Sequence, residues 1–368
     1  MMKTALIEPV GGHGGMDHYD YGLAGGLAAN NVAVEFHTCQ DTEQRTIENV
    51  NVLRTFGKVW KASNKASKLF QYLRGHYKAF SQAQKMGCNV VHLHFFSFDW
   101  LNFLVVFILN RFAFKKVLTI HDVSDFRGGS NALFRDYILK SFDSIIVHNQ
   151  FSFNELKSFH DKENVTVIPH GHYLHSVNEL SYLPQEKGKL NLLFFGQIKK
   201  VKGLDILLKA MAKVISTNPN VSLQIAGKVW HDDLLQYQQL IEELGLTEFV
   251  KTNFSFIPNE EVDGYFQRAD IVVLPYRRIY QSGVLLLAMS YGRAVLASNL
   301  PPFAEVVEDG KTGYLFQSED SDSLAEVILQ LVSEQHQVQV VAHNASAKLK
   351  AEYDWDDIGR KTIRVYNS

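Results

Sequence analysis

Residues 271–316 read IVVLPYRRIYQSGVLLLAMSYGRAVLASNLPPFAEVVEDGKTGYLF, and the succession of element types within this stretch decides the fold. Residues 271–274 are a short run of β-branched and aliphatic residues, as in a strand buried on both faces of a parallel sheet. Pro275 ends the run, and 276–281 is polar and irregular. Ser282-Gly283 opens an apolar segment, 284–291, long enough for a helix; Gly292 stops it, and 294–298 is the next strand. Strand, loop, helix and strand in that order predict an α/β fold with a parallel sheet. A Ser-Gly at a helix start just past a strand's carboxyl end is a ready anion site. Free backbone N–H groups and the positive end of the helix dipole both face the ligand, and open α/β sheets bind ligands at that end. Taken alone, the same pair is equally an N-cap and a tight turn.

Working outward, 190–195 is a strand, followed by Gly196-Gln-Ile-Lys-Lys-Val-Lys-Gly203 and an amphipathic helix from 204 to about 216. The loop is cationic and sits where a strand hands over to a helix. Residues 221–227 form a further strand with Lys228 just beyond it, 250–256 is a less regular one, and a helix runs over 259–269. A helix begins near 318–322 and carries Leu324, Val327, Ile328 and Leu331, while the tail from 353 to 366 is amphipathic and helical.

The first half repeats the pattern. A strand at 4–8 leads into a loop containing Gly11, Gly12, Gly14 and Gly15, then a helix over about 16–29. Glycine lets backbone approach a ligand closely, although this is not a strict G-x-G-x-x-G fingerprint. Asp17 is either a cleft residue or a charge at the helix N-terminus. Strands follow at 32–37, 89–94, 116–120, 143–148 and 165–168. His121 lies at the carboxyl end of its strand, where it can donate a hydrogen bond to a sugar hydroxyl or a phosphate, or equally serve as a structural histidine capping a loop. His170, His172 and His175 are close in sequence but lack carboxylate or cysteine partners at a zinc spacing, so loop and hinge polarity accounts for them better than a metal. The polar stretch 176–189 is the expected linker.

A chain of 368 residues accommodates two domains with cores of their own. Its 46% hydrophobic and 21% charged residues are ordinary for a globular protein. Two cysteines, Cys39 and Cys88, exclude a disulfide scaffold and fit a reducing cytosol. The Met-Met-Lys start runs directly into a strand, so no signal peptide is expected. The apolar stretch 95–114 is interrupted by Asp99, Asn102, Asn110 and Arg111, which favours a buried helix over a membrane span.

The charge is uneven. Arg54, Lys58, Lys61, Lys65, Lys68, Arg74, Lys78 and Lys85 fall in a segment without an acidic residue, interleaved with Trp60, Phe70, Tyr72, Tyr77 and Phe80. Such a surface can hold a protein on an anionic membrane; the alternatives are a solvated basic face or a rim around a phosphate-bearing acceptor. No recognised nucleic-acid module accompanies the charges.

Leu274-Pro275, the run from Gly283 to Met289, Gly292-Arg-Ala-Val-Leu-Ala-Ser and the Glu305-Val-Val-Glu-Asp-Gly-Lys-Thr-Gly-Tyr-Leu-Phe segment together resemble retaining nucleotide-sugar glycosyltransferases of the GT-B fold. The resemblance implies two Rossmann-like domains with parallel sheets facing across a cleft. It places an acceptor-side domain at 1–175, a linker at 176–189, a nucleotide-sugar domain at 190–350, and a final helix at 351–368 crossing back to the first domain, with Trp355 as its anchor.

The family pattern of Gly-Arg, a few residues, then Lys-Gly appears here with Gln197 at the arginine position and Lys202 kept; Lys199 is on the same loop. By resemblance, Lys202 and Lys199 stabilise the leaving diphosphate and His121 touches the transferred sugar. Gly14, Gly15, Gly196, Gln197, Gln281, Ser282, Gly283 and Val284 line the donor. The Glu-x7-Glu signature of many relatives is absent, because its positions read Ile279 and Leu287; Arg277 and Arg278 are nearby cationic substitutes.

The implied reaction is transfer of a sugar to an acceptor hydroxyl with retention, by front-face substitution, with no cofactor and no metal. The implied acceptor is a saccharide or lipid-linked saccharide of bacterial surface polysaccharide or glycolipid assembly. The expected location is cytoplasmic, peripheral on the inner membrane face through 54–85, with no nucleic-acid partner. The rival readings are a non-catalytic sugar-nucleotide-binding partner subunit and a sugar-nucleotide epimerase on the same fold.

Overall fold

The computed structural model describes residues 2–12, 14–57, 64–124, 131–161, 163–177 and 188–368. The chain divides into unit 1, Met1–Gly171 with Tyr353–Ser368, and unit 2, His172–Glu352. The 176–189 segment lies mostly outside the described residues, as do Lys58, Trp60 and Lys61.

Unit 1 opens with β1 (Lys3–Ile7), α1 (Gly14–Ala29), β2 (Ala33–Cys39), β3 (Val50–Phe56), α2 (Lys65–Lys85) and β4 (Val90–Phe95). It continues with α3 (Trp100–Leu109), β5 (Lys115–Ile120), α4 (Ala132–Lys140), β6 (Ser144–Val147), α5 (Gln150–Lys157) and β7 (Val165–Val167). The strands form one parallel sheet ordered β3-β2-β1-β4-β5-β6-β7. Side-chain caps start several helices: Asp99 accepts from the amides of Leu101 and Asn102, and Asn149 from that of Ser152. β3 carried no expectation above; its residues are half-exposed at the sheet edge, so no apolar run marks it.

Unit 2 contains β8 (Leu190–Phe195), α6 (Leu204–Thr217), β9 (Val221–Ala226), α7 (Leu234–Glu243), β10 (Val250–Asn253), α8 (Asn259–Arg268) and β11 (Ile271–Leu274). After these come α9 (Gly283–Ser290), β12 (Ala294–Ser298), α10 (Pro301–Ala304), β13 (Tyr314–Phe316), α11 (Ser321–Ser333) and α12 (Gln335–Glu352). Its parallel sheet runs β10-β9-β8-β11-β12-β13. One apolar core, from Leu192 and Phe194 of β8 through Leu207 and Met211 of α6 to Ile328 of α11, lies under this sheet.

The last helix, α13 (Trp355–Asn367), packs on α1 of unit 1. Glycines make that contact possible. A Cβ on Gly22 or Gly171 would stand 2.1 or 2.2 Å from the Trp355 indole, and one on Gly26 2.0 Å from the Trp355 carbonyl. The buried Trp355 fills the space those absent side chains leave.

In each sheet the order reverses beside the first strand, between β1 and β4 and between β8 and β11. In open α/β sheets the loops leaving neighbouring strands at such a reversal diverge, and the carboxyl edge there is the usual ligand position.

Candidate active site

In unit 2 the two motif loops meet at this reversal. Gly196 follows β8 with φ +100°, and a Cβ there would lie 3.3 Å from Val284 Cγ2 at the start of α9. Gly203 follows a 3-10 turn (Lys200–Lys202) with φ +67°, and its absent Cβ would stand 1.9 Å from the Pro275 carbonyl. Glycine is therefore required at 203 both by backbone conformation and by space. The Arg277 amide donates to the Val201 carbonyl (2.8 Å), which ties the β11 loop to the β8 loop.

Lys202 sits between them. Its Nζ lies 3.8 Å from the centroid of the Tyr276 ring. A cation held over an aromatic face gains about 0.5–2 kcal/mol. Tyr276 is itself buried, packs on Phe303 at 5.3 Å and accepts from Ser298 Oγ through its carbonyl, so it is a rigid platform. Lys199 is half-buried on the same turn, and Gln197 is exposed.

Arg277 is committed elsewhere, not a substitute for the missing carboxylates. Its guanidinium forms two 2.8 Å bonds to Asp205 and donates to the Lys200 carbonyl. Burial tends to raise the Asp205 carboxyl, but the paired guanidinium outweighs that and holds it below its ordinary range. Arg278 donates to the Tyr280 hydroxyl. Ile279 and Leu287, at the glutamate positions, are half-buried.

Ser282 is a true N-cap: it is buried and accepts from the Leu285 amide at 3.3 Å. The Gly283 and Val284 amides, in the first helical turn, have no acceptor within the helix and remain for an anion. Gly283 also admits Tyr173, whose hydroxyl would be 2.7 Å from a Cβ there. Gln281 stands half-buried just before the cap. Lys202, Gly196, Ser282, Gly283 and Val284 thus come together at one sheet edge.

In unit 1 the glycine loop is organised by Asp17, which accepts from the amides of Gly12 (3.1 and 3.2 Å) and Glu43 (2.9 Å). Asp17 thereby shapes the loop. Gly14 begins α1, and a Cβ at Gly15 would meet nothing within 4 Å, so the space beside the loop is open at 15. Near them, Glu8 and Asp20 are buried; burial raises Glu8 to about 8 and Asp20 well above its ordinary value.

His121 follows β5 and is 5% exposed. Its neighbours come from adjacent strands: His94 in β4, His148 directly after β6, and His170 three residues after β7. Parallel register brings these strand ends level. His121 Nε2 lies 3.4 Å from His94 Nδ1, and His121 Nδ1 lies 3.3 Å from His148 Nε2. Tyr19 of α1 touches all four rings edge-on or tilted at 4.8–5.5 Å. Burial pulls His148 down to about 4 and His170 to about 3, and His94 and His121 well below the usual imidazole value. The row is therefore neutral near pH 7. Among the described residues, no group of three or more His, Cys, Asp or Glu side chains is arranged to hold a metal ion.

The sequence argument missed Tyr276, Asp205, His94 and His148. A legible signal existed for the histidines: HLH, TIH, IVH and VIPH each end an apolar strand run with histidine.

Two family models match the chain: Glycosyltransferase Family 4 over residues 13–175 and Glycosyl transferases group 1 over residues 181–351. With the two parallel-sheet units described above, the chain belongs to the glycosyltransferases of the GT-B fold and is an enzyme of that class. A D-inositol 3-phosphate glycosyltransferase of Corynebacterium urealyticum is 23% identical over 407 residues, covering 100% of this chain and 94% of its own. Other curated relatives align over about half of their own length. The sucrose-phosphate synthase of Thermosynechococcus elongatus superposes with a TM-score of 0.80 at 19% identity, covering 100% of this chain and 98% of its own. Anabaena HepE, in complex with UDP and glucose, gives 0.76 at 19% identity with full coverage of both chains. Among the described residues no helix is long and apolar enough to cross a membrane.

Proposed function

We propose that this enzyme moves a sugar from a nucleotide-sugar donor to an acceptor hydroxyl with retention, in bacterial surface polysaccharide or glycolipid assembly. The observation that carries the reading is the convergence of Lys202, the Gly196–Gly203 turn and the α9 amides at the β8/β11 reversal. A departing nucleoside diphosphate gains negative charge as the glycosidic bond breaks. A fixed ammonium and two free amides stabilise that charge without reorganising, which is the role a divalent metal takes elsewhere. His121 contacts the transferred sugar, and the freed phosphate oxygen takes the acceptor proton.

The test is a thermal-shift screen of UDP, GDP, ADP and dTDP with their common sugars, in EDTA. Stabilisation by one nucleoside diphosphate family is expected. HepE, a structural neighbour seen with UDP and glucose, puts the uridine compounds first. A response in magnesium but none in EDTA would overturn metal independence; no response in either would overturn the donor site.

The lipid-linked acceptor rests on a separate observation. Phe70, Arg74, Tyr77 and Lys78 share one exposed face of α2, with Phe70 64% and Tyr77 56% exposed. Aromatic and basic side chains on one face suit an anionic bilayer. Co-sedimentation with phosphatidylglycerol vesicles, absent with phosphatidylcholine and abolished in a Phe70→Ser/Tyr77→Ser variant, is the expected result. Equal binding to both lipids would remove the proposal.

A further inference from the structure

The hydrogen positions along the histidine row follow from its fixed end. His148 Nδ1 lies 3.0 Å from the Ile168 carbonyl, which can only accept, so Nδ1 carries the hydrogen. Neutral His148 then has a bare lone pair at Nε2. The contact from His121 Nδ1 to that lone pair requires the hydrogen on His121 Nδ1. His121 Nε2 is consequently bare, and His94 Nδ1 must donate to it. The chain ends at His94 Nε2, a buried acceptor with no hydrogen-bond partner among the described residues. A reversed chain would need a proton on both nitrogens of His148, and burial disfavours that cation.

Ring rotation could exchange the nitrogens, but the His121 ring is held. Phe96 stacks on one face at 4.5 Å with a 10° interplanar angle, and Tyr19 approaches at 5.0 Å. His148 is likewise caught between Tyr19 at 5.5 Å and His170 at 5.7 Å.

We propose that His148, anchored on the Ile168 carbonyl, is a positioning residue that fixes His121 in the Nδ1–H tautomer, so that His121 offers the sugar an acceptor lone pair at Nε2. This rests on the reading of His121 as a sugar contact and changes its sense. The bound group must be a hydroxyl that donates. A carboxylate or phosphate at that position would face a lone pair and is disfavoured. When the hydroxyl donates to His121 Nε2 it replaces the long 3.4 Å contact from His94.

The experiment is nitrogen-15 NMR of the full chain labelled at histidine, with each ring assigned by single His→Gln variants. Long-range proton–nitrogen couplings distinguish the two neutral tautomers. His94, His121 and His148 are expected as Nδ1–H, the form that free histidine disfavours. A wild-type His121 in the Nε2–H form overturns the proposal, and this measurement needs no variant to fold. In His148→Leu, His121 is expected to revert to Nε2–H, with kcat/KM for the nucleotide sugar falling about five- to tenfold and nucleoside diphosphate affinity unchanged. His148→Gln, whose amide oxygen can accept from His121, should restore both. An unchanged His121 tautomer in His148→Leu also overturns it. The underlying reading is read separately. If UDP-glucose, UDP-N-acetylglucosamine and GDP-mannose each shift the His121 nitrogens no more than the nucleoside diphosphate alone, the sugar contact fails, and the role proposed for His148 fails with it, whatever the tautomer.

Discussion

At the carboxyl edge of the unit 2 sheet, the loops after β8 and β11 present lysines and free amides; at the matching edge of unit 1, β4 to β7 present neutral imidazoles. The unit 2 loops are interlocked by necessity: Gly203 against the Pro275 carbonyl, Arg277 on Asp205, Lys202 over Tyr276. The unit 1 row has almost no charge to hold. The proposed diphosphate role needs fixed positive charge, and unit 2 carries its lysines on a half-buried loop. The proposed contact with sugar hydroxyls needs directional lone pairs and hydrogens, and burial holds these imidazoles neutral.

The largest effect that separates the halves is acid sensitivity. His18, His37, His76 and His148 lie near 4, and His92 and His170 near 3, all held down chiefly by burial, and all belong to unit 1. In an unfolded chain histidine titrates near ~6.5. Below that pH the unfolded state binds protons the folded state refuses, so stability falls with pH until the folded values are passed. Glu8 and Asp20 act in the opposite sense, since burial keeps them protonated and their contribution is lost as pH rises, but the histidines outnumber them. Calorimetry from pH 7 to 4.5 should move a unit 1 transition down by many degrees and a unit 2 transition far less. Parallel shifts would break the comparison.

Next in size is Gly203→Ala, which forces a Cβ into the Pro275 carbonyl and should destabilise by about 3 kcal/mol, measured by urea unfolding. Gly15→Ala in unit 1 adds its methyl to open space and should change stability by no more than about 0.5 kcal/mol. Equal effects at the two positions would contradict the packing described.

Lys202→Ala should lower transfer about 100-fold or more with the melting temperature preserved; near-normal activity would reject its diphosphate role. A smaller effect on activity is expected of Asp205→Asn. It weakens the Arg277 pair, a half-buried bidentate contact, by about 1 kcal/mol, and should appear as a severalfold rise in donor KM with kcat nearly kept. The Asp205 carboxyl is held below its ordinary value, so this pair's contribution is complete above the unfolded aspartate pKa and fades as pH falls through the folded one.

The sequence by itself determined the α/β pattern and the place of the unit 2 loops. Runs such as 271–274 and 190–195 have no polar face, which only a parallel sheet covered on both sides can accept, and glycines beside them mark where the chain must turn. It also marked Ser282-Gly283 by its place just past a strand end, and Lys202 through the resemblance of its loop to the family's Lys-Gly pattern. The tertiary structure alone decided how each cation is held, since Arg277 and Lys202 look equivalent in sequence until Asp205 and Tyr276 are brought to them from 72 and 74 positions away. It also decided that His94, His121 and His148 form a row. Their 27-residue spacings become 3.3–3.4 Å contacts only through the register of parallel strands, and a hydrogen's position on one ring is then dictated by a carbonyl at Ile168 that no local sequence pattern connects to it.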